Sequence, residues 1–419
     1  MYRNLTSASI NENHVAGKWR TIALLSLAEF LGMSLWFSAS AVTPALLKEW
    51  HLTTGQSSYL TMAVQLGFVI GAFLSALFNL ADILPPRLVF AGGCFMGAAA
   101  NFLIPMTAHG LTEAVVLRFI TGASLAAVYP VGMKIMTTWM KKDRGLGLGL
   151  LVGALTLGSA SPHLIKSFGG VRDWQSVMYL VSLLAFAGGI LGLAAGRQGP
   201  FRTPSPPFRW RYIGEAFSRE ALRMANFGYL GHMWELYAMW TWIPLFLLES
   251  YRRGVSPAHL SSAGKSAALA SFVVIGIGGV GSLIAGYLAD RWGRSRTTIF
   301  SLLISGGCAL MIGFFFRDPF WATVIAVLWG FAVVADSAQF STAVSEICHP
   351  QYVGTALTIQ TSAGFLLTLA SIRLIPFMVK LVGWRWSFVA LAIGPVLGIL
   401  AMAKLRRLPE AAQMAGGRG

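Results

Sequence analysis

The sequence predicts an all-α polytopic membrane protein, with twelve transmembrane helices set as two pseudo-symmetric six-helix bundles. Three observations predict it. Of 419 residues, 55% are hydrophobic and only 11% are charged, against about 25% charged in an ordinary soluble domain. Apolar runs near the ~20 residues needed to cross a bilayer follow one another along the chain. Landmarks of the first half recur in the second half at a nearly constant spacing.

The apolar runs lie near 20–45, 58–81, 87–106, 111–138, 144–167 and 174–196, then near 222–248, 264–289, 297–316, 319–344, 352–380 and 384–404. They are spans one to twelve. Several exceed the bilayer minimum, which allows for tilt. The only long polar connection is 197–221, with four prolines and five arginines. The predicted organisation is a tail (1–18), a first bundle (19–196), a linker (197–221), a second bundle (222–407) and a tail (408–419). A short amphipathic piece is expected around Tyr212–Phe217. The first apolar run is too long for a signal-peptide core, so no cleavable leader is expected.

Lysine and arginine in the loops set the orientation. With the N-terminus inside, 20 of them fall on the cytoplasmic side and 9 on the other. Both termini are therefore expected in the cytoplasm, across an inner or plasma membrane. The net charge of +16 is explained by an anionic inner leaflet and calls for no nucleic acid. Cys94, Cys308 and Cys348 have neither a disulfide framework nor metal-ligand spacing, so no metal and no cofactor are expected. Gly276-Ile-Gly278-Gly279-Val-Gly281 fits a dinucleotide fingerprint, but no strand precedes it, and close helix packing explains it. Neither a P-loop nor a nucleophile–base pair appears, so no enzyme is expected.

The repeat is visible in four pairs. Asp82 in "NLADILPPR" and Asp290 in "YLADRWGR" stand 208 residues apart, as do Gly122 and Gly330; Gly145 and Gly354 stand 209 apart, and Trp174 and Trp386 stand 212 apart. In repeats of this kind the binding site lies near the midplane, between the copies.

Ionisable residues at bilayer depth are expensive and usually face a partner or a water-filled cavity. Glu29 in span one and Glu235 in span seven fall near the midplane, and Arg118 (span four) and Asp336 (span ten) lie within their spans. Glu29, Glu235 and Asp336 are candidate proton carriers, because burial favours a neutral acid and a neighbouring arginine favours the carboxylate. Arg118 is expected to be that neighbour, or a clamp for an anion. His163 and Arg373 are read as interface residues, and Lys134 as snorkelling. Span seven places His232, Glu235 and Met239 on one face, with Trp234 and Tyr237 on another. These five, with Trp36, Phe37, Tyr129, Gln339 and Gln360, are expected to line a cavity for a small organic ligand.

Gly286-Tyr-Leu-Ala-Asp290-Arg291-Trp-Gly293-Arg294-Ser-Arg296 resembles the signature loop of the major facilitator superfamily, and Arg118-Phe-Ile-Thr-Gly122 resembles its Arg-x-x-x-Gly motif. The resemblance covers about residues 18–407. The first copy of the loop departs from the pattern, keeping Asp82 but reading Ile83-Leu84-Pro85-Pro86-Arg87. Span five, from Gly153 to Pro162, matches the drug–proton antiporter motif only loosely, with its proline displaced.

The resemblance implies a secondary transporter working by alternating access, with a small solute and protons as partners, and a monomer. An anion as solute is expected from Arg118. The alternatives are a multidrug-type proton antiporter and, from another class, a non-transporting sensor or assembly component. It also implies a cytoplasmic gate built from Asp82, Arg87, Gly286, Asp290, Arg291, Gly293 and Arg294. By the repeat, Asp82 is expected near the start of span eleven and Asp290 near the start of span five.

Overall fold

The computed structural model describes residues 17–140, 144–168, 173–201, 214–253, 259–349 and 351–419, without the side chains at 81–82, 144–146 and 215–216. These residues form helices and turns, with no strand among them. Ten stretches are long and apolar enough to cross a membrane, and Val389–Leu405 is a shorter apolar one. The twelfth, Glu220–Arg252, is 33 residues long but more polar, because His232, Glu235 and charged ends interrupt its hydropathy. Residues 202–213, about half of the expected linker, lie outside the described residues. A single turn, Glu215–Ser218, precedes span seven.

Four spans are interrupted. Span one comprises Lys18–Met33 and Ser38–Glu49, and span four comprises Leu111–Leu125 and Tyr129–Thr137. Span eight comprises Leu260–Gly276 and Gly278–Trp292, and span ten comprises Pro319–Ala335 and Ser337–Ile347. Spans two (Thr54–Leu77), three (Pro86–Thr107), five (Arg144–Ser167), six (Trp174–Ala195) and nine (Arg294–Met311) are continuous. Span eleven runs from Val353 to a left-handed Gly383, where the chain turns into span twelve. Local signals fit the starts. Thr53 and Gln56 form a capping box at span two. Asp173, at span six, accepts from the Ser176 N–H at 2.9 Å, and hydrogen bonds from the Ser176 hydroxyl and then that N–H hold its carboxyl below the usual range.

The packing repeats as the sequence does. Within the first six spans, one packs on five and six, two on four, and three on four and six; within the last six, seven packs on eleven and twelve, eight on ten, and nine on ten and twelve. The glycine pair explains part of this. A side chain on Gly122 would run into the main-chain carbonyl of Val64, and one on Gly330 into that of Val274. Small residues let backbones approach where lipid gives no hydrophobic drive for helices to associate.

The halves meet along three seams: spans two with eleven, five with eight, and one with seven. With twelve spans between them, the start of span one at Lys18 and the end of span twelve at Leu405 lie on one face of the bundle, called here the terminal face. At the opposite face Arg373 donates to the Gly55 carbonyl at 2.8 Å and lies over the Tyr59 ring, and Ser40 donates to the Thr241 carbonyl at 3.2 Å. Toward the terminal face spans five and eight stay in contact, so that a side chain on Gly149 would meet Leu283 and one on Gly279 would meet Gly153. Span one is buried all round from Gly32 to Thr43, while its terminal half alternates buried with exposed positions. Half-buried residues also line the terminal halves of spans four, ten and eleven.

Candidate functional site

Six aromatic rings close the middle of the seams. Trp36 lies 5.0 Å from Phe68, 5.7 Å from Tyr237 and 5.7 Å from Phe365, ring centre to ring centre. Phe37 lies 5.7 Å from Trp240, and Tyr237 lies 4.9 Å from Phe365. All six are buried. Such tilted and stacked pairs add ~0.5–1.5 kcal/mol each beyond burial. Trp36, Phe37 and Tyr237 thus come together, but in a packed plug between the halves and not around the cavity expected for them. Phe68 and Phe365 carry no polar group, and sequence reasoning missed them and Trp240.

Trp36 and Phe37 sit in the break of span one, residues 34–37, and Arg118 explains the break. Its Nη1 donates to the Leu35 carbonyl at 2.9 Å and to Ser38 Oγ at 2.8 Å, and its Nη2 donates to the Trp36 carbonyl at 2.5 Å. Longer contacts reach Asn101 Oδ1 (3.4 Å) and the Leu60 carbonyl (3.5 Å). Asn101 is itself tied to Ser182 at 2.9 Å. A broken helix leaves carbonyls without N–H partners, and the planar guanidinium supplies them. This corrects the expectation for Arg118. It is 1% exposed, it meets no carboxylate among the described residues, and most of its N–H groups are engaged by spans one, two and three.

One turn before the break is Glu29, wholly buried against span four, where a side chain on Gly132 would overlap its Oε2. Tyr129 and Cys94 lie close enough to interact with it electrostatically. Neither Glu29 oxygen has a hydrogen-bond partner among the described residues.

Glu235 differs. Its Oε1 accepts from Trp329 Nε1 at 2.7 Å and its Oε2 from Ser305 Oγ at 2.8 Å. His232 Nδ1 stands 2.8 Å from Asp336 Oδ1, without the alignment of a directed hydrogen bond. Asp336 occupies the interruption of span ten. Both pairs point into the second half, so His232 and Glu235 do not line the space between the halves. Every face of span seven has protein neighbours in its outer part, and a polar face there need not meet a cavity. Trp234 is a further correction: its Nε1 donates to the Ala390 carbonyl of span twelve at 3.2 Å. Met239 is buried in the core.

The terminal side of the plug is walled by hydroxyl and amide groups. Gln360 donates to Asn226 Oδ1 at 3.0 Å and accepts from Ser341 at 3.1 Å, linking spans eleven, seven and ten. Ser337, Ser341, Thr342 and Ser345 recur along one side of span ten, half-buried or exposed. Tyr129, Tyr229 and Tyr237 lie within electrostatic reach of one another. Gln360 and Tyr129 belong to this wall. Gln339 does not, because its Oε1 accepts from Arg294 at 2.8 Å. Asn226 and the serine stripe were missed, although the i, i+4 spacing of Ser337, Ser341 and Ser345 was a readable signal.

In the signature loop, Asp290 is 68% exposed at its side chain and pairs with Arg294 at 3.3 Å. Arg294 also binds Glu346 twice, at 2.8 Å each. Arg291 lies over Tyr287, 4.1 Å from its ring centre, and Gly286 faces open space. These described contacts all stay within the second half. Arg87 lines a cleft of about 600 Å³ with Ile83, Pro85, Gly196 and Arg197, away from the seams. The Asp82 side chain lies outside the described residues, as does that of Arg144 at the start of span five. No group of three or more His, Cys, Asp or Glu among the described residues is placed to hold a metal.

A family model described as Major Facilitator Superfamily matches residues 24–371 and again 258–417. The chain is 22% identical, over 92% of its length, to a hexuronate transporter of Escherichia coli (strain K12), of which it covers 93%. It is 24% identical, over 40% of its length, to a galacturonate transporter of Dickeya chrysanthemi, of which it covers 48%. A bacterial homologue of the human lysosomal transporter Spinster, in an inward-facing and occupied conformation, matches its fold with a TM-score of 0.71 at 14% identity, covering 93% of this chain and 97% of that one. Repeated packing, signature loop and family match agree, and the chain belongs to the Major Facilitator Superfamily.

Proposed function

We propose that this chain is a proton-coupled secondary transporter of sugar acids, working by alternating access, with its terminal face in the cytoplasm. One observation carries the reading. An aromatic plug closes the seams at mid-depth, and toward the terminal face it gives way to hydroxyl and amide groups on spans seven, ten and eleven. A hydroxyl-rich solute suits such a wall, since each amide or hydroxyl there can donate and accept. Two relatives are named for hexuronate and galacturonate, which supports an acidic sugar. Arg118 also favours an anion, from a distance: its buried charge is met only by neutral oxygens, so its field is not cancelled in contact.

Glu29 is the proton site in this reading. It is the one midplane carboxyl without a fixed partner among the described residues, so it can gain or lose a proton without breaking a bond the fold needs. Arg118 acts as a positioning residue that holds the broken segment bearing Trp36 and Phe37. The test is uptake of labelled glucuronate and galacturonate by proteoliposomes, with and without an imposed proton gradient. Accumulation should follow the gradient, and Glu29→Gln should lose accumulation while retaining exchange. Equal flux with and without the gradient would remove proton coupling. Flux of neutral hexoses but not of their acids would remove the anion.

A further inference from the structure

Residues 409–419 are built into the terminal face. Pro409–Gln413 form a 3-10 turn, and the chain then folds back under the turn between spans eight and nine. Met414 is fully buried, and Ala411 and Ala415 nearly so. The Ala415 N–H donates to Glu346 Oε2 at 3.2 Å, the Ser295 N–H donates to the Gly419 carbonyl at 3.2 Å, and the Arg418 guanidinium donates to the Asp290 carbonyl. Gly293 has a φ of 97°, a conformation that favours glycine. The backbone of Arg418 and Gly419 lies so close to it that any side chain there would overlap their carbonyl oxygens. Four elements of the signature loop, namely Asp290, Gly293, Arg294 and Ser295, therefore meet the tail directly or through Glu346.

We infer that residues 409–419 are a latch. They occupy the surface of the signature loop that closure of the terminal face requires, and they hold that face short of closure. The inference rests on the gate reading of Asp290, in which that loop meets the start of span five when the terminal face closes. With the tail docked, backbone covers Gly293, and Arg294 is held by Glu346 on its own half. The loop's surface is then taken by a segment of the same chain. Because that segment is tethered, it competes at high effective concentration, and the terminal face closes only when the tail lifts.

The experiment uses the full chain with Cys94, Cys308 and Cys348 replaced by alanine, and with spin labels on Ile83→Cys and Gln351→Cys, exposed positions at the terminal ends of spans two and eleven. Two perturbations are compared: removal of residues 409–419, and Met414→Asp, which expels the tail without shortening it. Each should raise the population at short distance by at least about threefold, the size of shift expected from losing one net hydrogen bond. Unchanged distances in both overturn the latch. Shortened distances that Asp290→Asn in the truncated chain does not reverse overturn instead the gate role of Asp290.

Discussion

Replacing Arg118 by methionine separates a positioning role from a substrate-binding one. The side chain makes three short hydrogen bonds, at 2.5, 2.8 and 2.9 Å, two of them to main-chain carbonyls at the break in span one. Methionine fills similar space and donates nothing. It leaves the Trp36 carbonyl buried without a donor, a loss of about 1–3 kcal/mol, whereas the Leu35 carbonyl keeps the Ser38 hydroxyl and N–H. Removal of a buried charge returns part of that, which favours the lower half of the range. The assay is thermal unfolding in detergent, followed by reaction of a thiol dye with the three buried cysteines. Arg118→Met should melt lower by on the order of 1–3 °C, since a chain of this length shifts by about 1 °C per kcal/mol. Arg118→Lys should fall between, because an ammonium cannot span both carbonyls and Ser38 as a planar fork does. A Met variant that melts like the parent, yet loses affinity only for anionic substrates, would refute the positioning role and restore the clamp.

Other substitutions probe separate links. Gly122→Ala and Gly330→Ala should each destabilise by about 1–3 kcal/mol or abolish folded yield, since each Cβ meets a main-chain carbonyl; size-exclusion profiles in detergent check this. His232→Ala should destabilise by about 1–3 kcal/mol by removing the side-chain neighbour of the buried Asp336, whereas His232→Phe with Asp336→Leu should recover most of the loss; melting of the single and double variants forms the cycle. Arg373→Ala removes the clasp on Gly55 and Tyr59 and should raise the labelling rate of a cysteine placed near Tyr59 on the opposite face. A rate equal to the parent's would show that the aromatic plug alone keeps that face shut.

The frame was legible because membrane physics writes it in large letters. Twelve apolar runs, a charge bias and four repeated landmarks all survive uncertain helix ends. The loop at Asp290 was legible because charge between oily segments is costly to keep. The site was only partly legible, for physical reasons that differ by residue. Trp36, Phe37 and Tyr237 met because aromatic bulk at mid-depth has few places to go. Arg118 misled because its acceptors are carbonyls of a broken segment, and "SLWF" carries no glycine or proline to announce a break. His232 and Glu235 misled because a polar helix face declares a need for partners and not their location. Where all sides of a helix are protein, either neighbour satisfies it. Ser341 and Asn226 were passed over because serine and asparagine are cheap to bury when bonded, and so raise no alarm singly.

The repeat turns this uneven legibility into an argument about mechanism. Glu29 and Glu235 occupy equivalent spans, and both are wholly buried. Had the two halves kept the same chemistry, each carboxyl would have a matching partner set. Instead Ser305 and Trp329 hold both oxygens of Glu235, whereas Glu29 abuts a glycine of span four with both oxygens unmet among the described residues. A carboxyl fixed by two donors stabilises one arrangement of spans seven, nine and ten, and it would resist change. A carboxyl left unpartnered at the hinge side of a broken span contributes little to holding the structure. Burying it costs free energy, and a cost retained in one half and relieved in the other needs a reason. Its position supplies one. Glu29 lies one turn from the segment that carries Trp36 and Phe37 into the plug, and Tyr129 beside it belongs to the polar wall on the terminal side of the plug. In the proposed reading, a change of protonation at Glu29 would act on the seal and on the wall together, as alternating access demands.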